Sequence, residues 1–296
     1  MKNLSAVKTL FSATRPPSLI ITIAPVVMAT AMAFGDGIAH FPTAVVALIG
    51  GVLIHAGTNL INDYTDFKRG ADRVGDFDPM RGILVGDVNP IVIKKAAVIA
   101  FALALIPAGY LINRGGWPIV MIAVLSFLAG IFYTAGRHPL AYVGGFGDLF
   151  VLVFFGPIAV AGTYYVQSLE INAAVILSGL APGMITLGVL TINNIRDYDK
   201  DRAVGKKTLV VRFGRMFGYG EYLFSFLGAF LIPVLIYALI QDHQPILFAA
   251  ALSWVGMPVV IKVLQAQNTP DFNWSIGATV RLLILYVIIF SIGWIV

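Results

Sequence analysis

Two groups of asparagine and aspartate residues follow long apolar segments of this 296-residue chain. The first group contains Asn59, Asn62, Asp63, Asp66 and Asp72. The second group contains Asn193, Asn194, Asp197, Asp199 and Asp201. Because carboxylates at membrane depth are energetically costly, we expect these residues to serve a function. Carboxylate and amide oxygens are hard ligands, so the two groups indicate divalent cations, most simply Mg²⁺, that hold a polyanion such as a diphosphate.

Helical geometry brings most of each group onto one face. At about 100° per residue, an arc of about 100° includes Asn59, Asn62, Asp63 and Asp66. In the second group the same arc includes Asn193, Asn194, Asp197 and Asp201. Asp199 points elsewhere. Two facing stripes leave space for a bridged diphosphate, because Mg²⁺ prefers a few carboxylates plus phosphate oxygens to a closed protein cage.

From this arrangement we predict two sets of roles. The predicted metal ligands are Asn62, Asp66, Asp197 and Asp201. The predicted substrate contacts are Asn59, Asn62, Asp63, Asn193 and Asn194. The alternative interpretation is that both groups cap helices and are solvated at the membrane interface, but two groups with the same spacing favour a site.

The composition is that of a membrane protein. Hydrophobic residues make up 58% of the chain and charged residues only 12%, which excludes a soluble protein of this size. Runs of about 20 apolar residues can cross a bilayer. The sequence predicts nine such spans, at about 18–34, 41–61, 91–112, 117–135, 146–166, 172–193, 217–240, 245–264 and 276–296. We therefore expect an all-α, polytopic protein that forms a single domain over residues 1–296 in the lipid bilayer.

Other classes of function are excluded by what the sequence lacks. The chain has no cysteine, which excludes thiol catalysis and thiolate metal sites. It carries no nucleic-acid-binding signature and no glycine-rich phosphate loop.

The basic residues predict the orientation of the spans. If the N-terminus lies in the cytoplasm, all but Arg114 of the 20 Lys and Arg residues fall on the cytoplasmic side, as the positive-inside rule requires. Both polar groups then face the cytoplasm, because an even number of spans separates them. Their shared Asn-x-x-x-Asp spacing and the basic loop after each group suggest a weak parallel repeat with a site at its interface.

A diphosphate also requires cationic side chains. Arg15 and Arg137 lie near predicted helix boundaries, and arginine suits bidentate contact with phosphate. Lys68 and Lys206 flank the polar groups and would act as point charges. We predict that these four residues help to bind the diphosphate, although each also fits the topological role of basic residues.

A lipid diphosphate would explain why this chemistry lies in a membrane, because its tail dissolves in hydrocarbon while its head reaches the interface. An allylic diphosphate that loses its leaving group gives a carbocation, which must be kept from water and which aromatic faces can stabilise. Tyr133 and Tyr198 lie beside the polar groups. We predict that Tyr133 acts in catalysis together with Asp66 and Asp197, and that Tyr198 contacts the substrate.

These motifs resemble those of the UbiA-type intramembrane aromatic prenyltransferases. The family patterns Asn-Asp-x-x-Asp and Asp-x-x-x-Asp are matched at residues 62–66 and 197–201, and the resemblance covers essentially the whole chain. Many members carry a further aspartate four residues after the first motif. Here that position is Gly70, and Asp72 follows as the expected metal ligand. The Gly70-x-Asp72 spacing and residues 193–212 are most similar to the 1,4-dihydroxy-2-naphthoate prenyltransferases of menaquinone synthesis.

The resemblance implies a Mg²⁺-dependent all-α fold whose central cavity opens sideways to lipid. It implies transfer of a polyprenyl group from a polyprenyl diphosphate to 1,4-dihydroxy-2-naphthoate, with loss of the carboxylate, giving demethylmenaquinone. It also implies a multi-pass protein of the cell (plasma) membrane whose active site faces the cytoplasm. An acceptor such as 4-hydroxybenzoate or homogentisate would use the same diphosphate machinery. A cation-coupled transporter would also place paired acidic sites at a repeat interface, but its ions should bind without diphosphate.

Overall fold

The computed structural model describes residues 10–69, 89–136 and 139–296, and the regular elements in these ranges are all helical. The main helices are α1 (Pro16–Gly35), α2 (Phe41–Arg69), α3 (Pro90–Gly115), α4 (Trp117–Phe132), α5 (Phe146–Val153), α6 (Ala159–Ser168), α7 (Ala173–Arg196), α8 (Tyr198–Ala203), α9 (Leu209–Phe213), α10 (Arg215–Ile240), α11 (Leu247–Gln265) and α12 (Thr269–Ile295). Two predicted site residues, Asp72 and Arg137, lie outside the described residues.

The described ranges contain the expected membrane spans. Eight helical segments are long and apolar enough to cross a bilayer, and α4 is a shorter apolar helix of 16 residues. One of the eight spans consists of α5 and α6 together. The last span begins at Thr269 rather than near residue 276. It begins early because Asn268 Oδ1 accepts a hydrogen bond from the Asp271 backbone N–H at 2.9 Å, which caps the helix. The chain is an integral, multi-pass membrane protein.

The two polar groups have different backbone conformations. The first lies on α2, which continues as a helix to Arg69, so the predicted helical spacing holds there. The second lies across a break, because α7 ends at Arg196 and Asp197 has φ −92° and ψ 10°. The prediction of one regular helix from Asn193 to Asp201 is therefore wrong at Asp197. The Asp197 N–H still bonds the Asn193 carbonyl at 2.9 Å, so the turn remains close to helical.

Helices pack closely where the kinked span formed by α5 and α6 meets α7. Residues Phe154–Ile158 form a π-helical turn that contains Pro157, and both features are known causes of kinks. A Cβ atom on Gly156 would lie 2.7 Å from the Gly179 carbonyl oxygen, and one on Gly179 would lie 2.7 Å from Pro157 Cα. Because the backbones approach so closely, the N-terminal part of α5 lies against the C-terminal part of α7.

At the end of the bundle away from the two polar groups, Asp36 directly follows α1 and forms hydrogen bonds to two other helices. Its carboxylate accepts hydrogen bonds from the Tyr164 hydroxyl at 2.5 Å and from Trp294 Nε1 at 2.8 Å. These contacts join α1, α6 and α12. The larger hydrophobic core lies between these helices and α7, α10 and α11, and Tyr286 and Phe290 are among its fully buried side chains.

Candidate active site

A cavity of about 930 Å³ lies among α1–α7 and α12. Most of its charged and amide side chains come from the C-terminal parts of α2 and α7, from the turn after α4 and from the start of α5, so they gather at one end of the bundle. The deeper walls are apolar and include Leu111, Ile119 and Ile122. Of the predicted site residues, those that line the cavity are Arg15, Asn59, Asn62, Asp66, Tyr133, Asn193, Asn194, Asp197 and Lys206. A cavity with a polar mouth and apolar walls suits an amphipathic substrate.

Residues of the first polar group line the cavity, and Asn59 also contacts the start of the neighbouring helix. Asn62 and Asp66 line the cavity. Asn59 also lines it, but its Nδ2 donates hydrogen bonds to the Thr14 carbonyl at 2.9 Å and to the Ser18 hydroxyl at 3.1 Å. Asn59 therefore ties α2 to the start of α1 as well as facing the cavity.

Asp63 is buried and forms an ion pair with Arg15 instead of lining the cavity. Arg15 has a left-handed backbone conformation, with φ 53° and ψ 63°, directly before α1. Such strain in a non-glycine residue persists only where the surroundings fix it, and it is common at functional sites. Arg15 Nε is buried and has no hydrogen-bond partner among the described residues. The guanidinium is thus held in place by Asp63 while one donor stays available.

Asp197 carries the charge of the second group into the cavity. Arg196 Nε and Nη2 donate to its two carboxylate oxygens at 2.8 and 2.7 Å. Arg196 Nη1 also donates to Asn273 Oδ1 at 2.7 Å, which connects α7 to α12 at the cavity mouth. The sequence reasoning assigned Arg196 only to topology. Its position in the sequence, between Asn194 and Asp197, could have identified Arg196 as a candidate site residue.

Asp201 lies just behind the cavity wall. It is buried, and Lys206 Nζ lies 3.2 Å from its Oδ2. Burial raises the pKa of the Asp201 carboxyl above its usual value, while the nearby Lys206 ammonium opposes that shift. Asp199 behaves as predicted, because its side chain is 81% exposed and pairs with Arg215 at 2.7 Å, away from the cavity.

Tyr142 connects the two polar groups, and the sequence reasoning did not find it. Its hydroxyl donates to Asp66 Oδ1 at 3.2 Å, and Lys206 Nζ lies 5.8 Å from the centre of its ring. Lys206 in turn contacts Asp201. A hydrogen bond, a cation–π contact and an ion pair therefore connect the first motif to the second. Because Tyr142 and Asp66 are 76 residues apart in the chain, no local sequence pattern could predict their contact. It supports the prediction that the two groups face one site.

Tyr133 lies in the turn after α4 and faces the cavity, with its ring 5.6 Å from the ring of Phe150. Burial raises the pKa of its phenol, and the Asp148 and Asp66 carboxylates raise it further. The hydroxyl is therefore neutral, so its ring offers an uncharged aromatic face. This placement agrees with the predicted position of Tyr133 beside the polar groups.

Two acidic residues outside the predicted set lie near the site. Asp148 is buried, lines the cavity and lies 3.5 Å from Asn194 Nδ2. Glu221 Oε2 accepts a hydrogen bond from the Thr191 hydroxyl at 3.0 Å. A carboxylate just inside an apolar span was the available signal for both residues.

His55 lies one helical turn before Asn59 and also lines the cavity. Its Nδ1 lies 2.7 Å from the Thr22 hydroxyl, and its ring centre lies 5.1 Å from that of Phe155. These contacts fix the orientation of the imidazole in the cavity wall. The imidazole therefore forms part of the cavity wall.

Two predicted site residues lie away from the cavity. Tyr198 packs against the hydrophobic core, and Arg215 lies over its ring, 5.1 Å from the centroid. Lys68 is exposed near the end of α2. Neither side chain lines the cavity in the part of the chain that the structure describes.

The oxygen atoms at the mouth fit a hard divalent cation that the substrate completes. Asn62 Oδ1 is buried and has no hydrogen-bond partner among the described residues. Within the described ranges, no group of three or more His, Asp or Glu side chains could enclose a metal ion. The described residues of each motif offer a few oxygens, so a Mg²⁺ ion held here would complete its coordination with water and phosphate oxygens, as is usual for this ion.

Comparison with known proteins gives a family match along most of the chain. The UbiA prenyltransferase family matches residues 22–294. The chain is 37% identical to a 1,4-dihydroxy-2-naphthoate octaprenyltransferase of Escherichia coli (strain K12) over 212 residues, which are 68% of this chain and 67% of the relative. It is 28% identical to the enzyme of the same name from Haemophilus influenzae over 94% of this chain and 93% of the relative.

The fold also matches that of a solved structure. A UbiA homologue from Archaeoglobus fulgidus, bound to GPP and Mg²⁺, aligns with a TM-score of 0.63 and 16% sequence identity. The alignment covers 96% of this chain and 99% of that homologue. At this level of identity the match establishes the shared fold.

Proposed function

This chain belongs to the UbiA prenyltransferase family and is an aromatic prenyltransferase, and from that premise we propose its substrates. It transfers a polyprenyl group from an allylic polyprenyl diphosphate to 1,4-dihydroxy-2-naphthoate. The observation that carries this proposal is the meeting of both aspartate motifs, bridged by Tyr142, at the polar mouth of an apolar cavity. The choice of acceptor is supported by the naphthoate octaprenyltransferases that are similar along the chain.

The mouth of the cavity would bind the diphosphate. Asn62, Asp66, Asp197 and Asp201 would hold Mg²⁺, with Asp72 as a further proposed ligand, and bound Mg²⁺ would neutralise charge on the leaving diphosphate. The A. fulgidus homologue bound to GPP and Mg²⁺ supports the use of a divalent metal ion, whereas the individual ligands are our proposal.

The protein's own cations would complete the diphosphate site. Arg15 is fixed by Asp63 and keeps a buried donor, so it can contact a phosphate oxygen without reorganising. Lys206 contacts Asp201 of the second motif and lies over the ring of Tyr142, where it adds a positive charge to the site. Arg137 remains a proposed contact from its position in the sequence, whereas the exposed Lys68 lies away from the cavity.

The deeper cavity would shelter the reaction from water. The carbon–oxygen bond of the allylic diphosphate breaks, and its electron pair leaves with the diphosphate. Tyr133 and the neighbouring phenylalanine rings offer their faces to the allylic cation. The electron-rich naphthalene carbon that bears the carboxylate then attacks the cation. The carbon–carboxylate bond breaks, its electron pair restores aromaticity, and carbon dioxide leaves, so the organic product is demethylmenaquinol, the reduced form of demethylmenaquinone.

We propose that the protein lies in the cell membrane with this mouth facing the cytoplasm. The distribution of Lys and Arg supports that orientation, since the loops at the mouth carry most of them. A cytoplasmic mouth would receive both the head of the lipid diphosphate and a water-soluble aromatic acid.

The test is incubation of the purified protein with Mg²⁺, a polyprenyl diphosphate and separate aromatic acids, with products identified by mass spectrometry. We expect a prenylated naphthalenediol from 1,4-dihydroxy-2-naphthoate, no product after chelation of the metal, and recovery on adding Mg²⁺. Carboxyl-labelled acceptor should lose its label. A prenylated product that keeps the label would reject decarboxylation, and turnover of 4-hydroxybenzoate alone would assign a different acceptor.

A further inference from the structure

Arg281 is an arginine inside a membrane span that lines the cavity. It lies on α12, eight residues after Asn273, and the helical rise places its Cα about 12 Å deeper than the mouth. A cationic side chain at this depth is costly unless it faces a cavity or an anion. The sequence reasoning counted Arg281 only toward topology, so its presence in the cavity wall is unexplained by the site described so far.

The guanidinium points back toward the mouth along α12. A Cβ atom on Gly277 would lie 3.5 Å from Arg281 Nη1, which places the guanidinium over Gly277, one helical turn closer to the mouth. Side chains on a helix tilt toward its N-terminus, so this direction is the expected one. The absence of a side chain on Gly277, which also lines the cavity, leaves the space that the guanidinium occupies.

The other described cations of the cavity wall already have carboxylate partners. Arg15 pairs with Asp63, Arg196 with Asp197 and Lys206 with Asp201. Within the described ranges, Arg281 makes no hydrogen bond, ion pair or ring contact. Arg281 is exposed and lines the cavity, so an anion in the cavity can reach its guanidinium, whose planar fork matches a carboxylate in bidentate geometry.

We propose, resting on the function above, that Arg281 binds the carboxylate of the aromatic acceptor and so selects aromatic acids over neutral phenols. The paired cations of the mouth serve the diphosphate, whereas Arg281 lies deeper on α12, where Ile276 and Val280 also line the cavity and would contact the naphthalene rings. An ion pair at this position holds the carboxylated ring carbon toward the prenyl group. It also keeps the acid ionised, which is the form that can lose carbon dioxide.

Equilibrium binding to the purified protein tests Arg281 without requiring turnover. The two ligands are 1,4-dihydroxy-2-naphthoate and 1,4-dihydroxynaphthalene, which differ only in the carboxylate. We expect Arg281→Gln to weaken binding of the acid about 10- to 100-fold, the usual range for a hydrogen bond to a charged group, and to leave binding of the neutral diol unchanged. Arg281→Lys should recover part of the affinity, because it keeps the charge but loses the fork.

The matched control is Arg215→Gln, which removes an arginine that pairs with Asp199 outside the cavity. It should leave the affinity for both ligands unchanged. Equal weakening for the acid and the diol in Arg281→Gln, or no weakening for either, would overturn the assignment. If Arg281→Gln does not fold, the ratio of the two affinities in Arg281→Lys decides the question, and a ratio equal to that of the wild type refutes it.

Kinetic measurements on the same variants distinguish a failure of the Arg281 assignment from a failure of the proposed function. Arg281→Gln should raise KM for the naphthoate and leave KM for the polyprenyl diphosphate unchanged. A rise only in KM for the diphosphate would instead assign Arg281 to the leaving group. If the wild type binds the naphthoate through Arg281 but forms no prenylated product, the proposed function fails while the binding site stands.

Discussion

Replacing Asp66 by asparagine should remove one negative charge from the mouth of the cavity and change little else. Asp66 lines the cavity, and its Oδ1 accepts the Tyr142 hydroxyl at 3.2 Å. An asparagine oxygen can accept the same hydrogen bond, so the contact with Tyr142 and the shape of the site should be kept. The substitution therefore isolates the electrostatic part of the role of Asp66 in holding the metal and diphosphate.

The size of the effect follows from the charge that is lost. A unit charge about 4 Å from an opposite unit charge contributes about 4 kcal/mol at an effective dielectric constant of about 20. Since about 1.4 kcal/mol corresponds to a factor of ten in rate, we expect kcat/KM to fall about 10³-fold. The assay is prenyl transfer by purified protein at saturating Mg²⁺, and the Mg²⁺ concentration for half-maximal rate should rise as well.

Asp199→Asn is the matched control for Asp66→Asn. The Asp199 side chain is 81% exposed and pairs with Arg215 at the surface, where ion pairs are screened by solvent. Its activity should stay within a few-fold of that of the wild type. If Asp66→Asn kept activity within a few-fold of the wild type, Asp66 would not hold the metal. If Asp199→Asn lost as much activity as Asp66→Asn, facing the cavity would not be what distinguishes a functional aspartate from an exposed one.

Three further experiments test the bridge, the packing and the orientation. Tyr142→Phe should lower kcat/KM about fivefold, because it removes one hydrogen bond of about 1 kcal/mol, and an unchanged rate would show that the bridge is dispensable. Gly179→Val should lower the melting temperature in detergent, because its Cβ would lie 2.7 Å from a Pro157 backbone atom, whereas Gly220→Ala has open space and should not; equal melting temperatures would contradict the packing. The chain has no native cysteine, so single cysteines at Val204 and Asp242 can be labelled selectively. An impermeant label should react with the first from the cytoplasmic face and with the second from the outer face. If both cysteines react from the same face, the proposed orientation is refuted.

The helical stripe on α2 could be predicted from the sequence because it depends only on local spacing. Asn59, Asn62, Asp63 and Asp66 do lie on a continuous helix. Which of them faces the cavity could not be predicted, because Asp63 turns to Arg15, which is 48 residues away in the chain. A long-range ion pair changes a residue from a candidate ligand into a support for its neighbour.

The missed residues share the same physical origin. Tyr142 reaches Asp66 across a turn, and Arg281 reaches the cavity because α12 packs beside α1 and α7. Neither arrangement leaves a periodic pattern in the sequence. The helix break at Asp197 was missed because the stripe from Asn193 to Asp201 was inferred from spacing alone, although the Asn and Asp residues of this segment have low helix propensity.

The contact between Asp36 and Trp294 also bears on how the protein is made. The two residues are 258 positions apart, and they join the first described span to the last. During synthesis, α1 enters the membrane long before α12 exists, and pairings between distant segments form late. Until α12 arrives, the cavity lacks the wall that carries Asn273 and Arg281, and the core residues of α1, α10 and α11 lack the contacts that Tyr286 and Phe290 of α12 provide. Chains that stall before the last helix should therefore be inactive and should expose a polar cavity to lipid, which makes the final span the step at which quality control can recognise a finished enzyme.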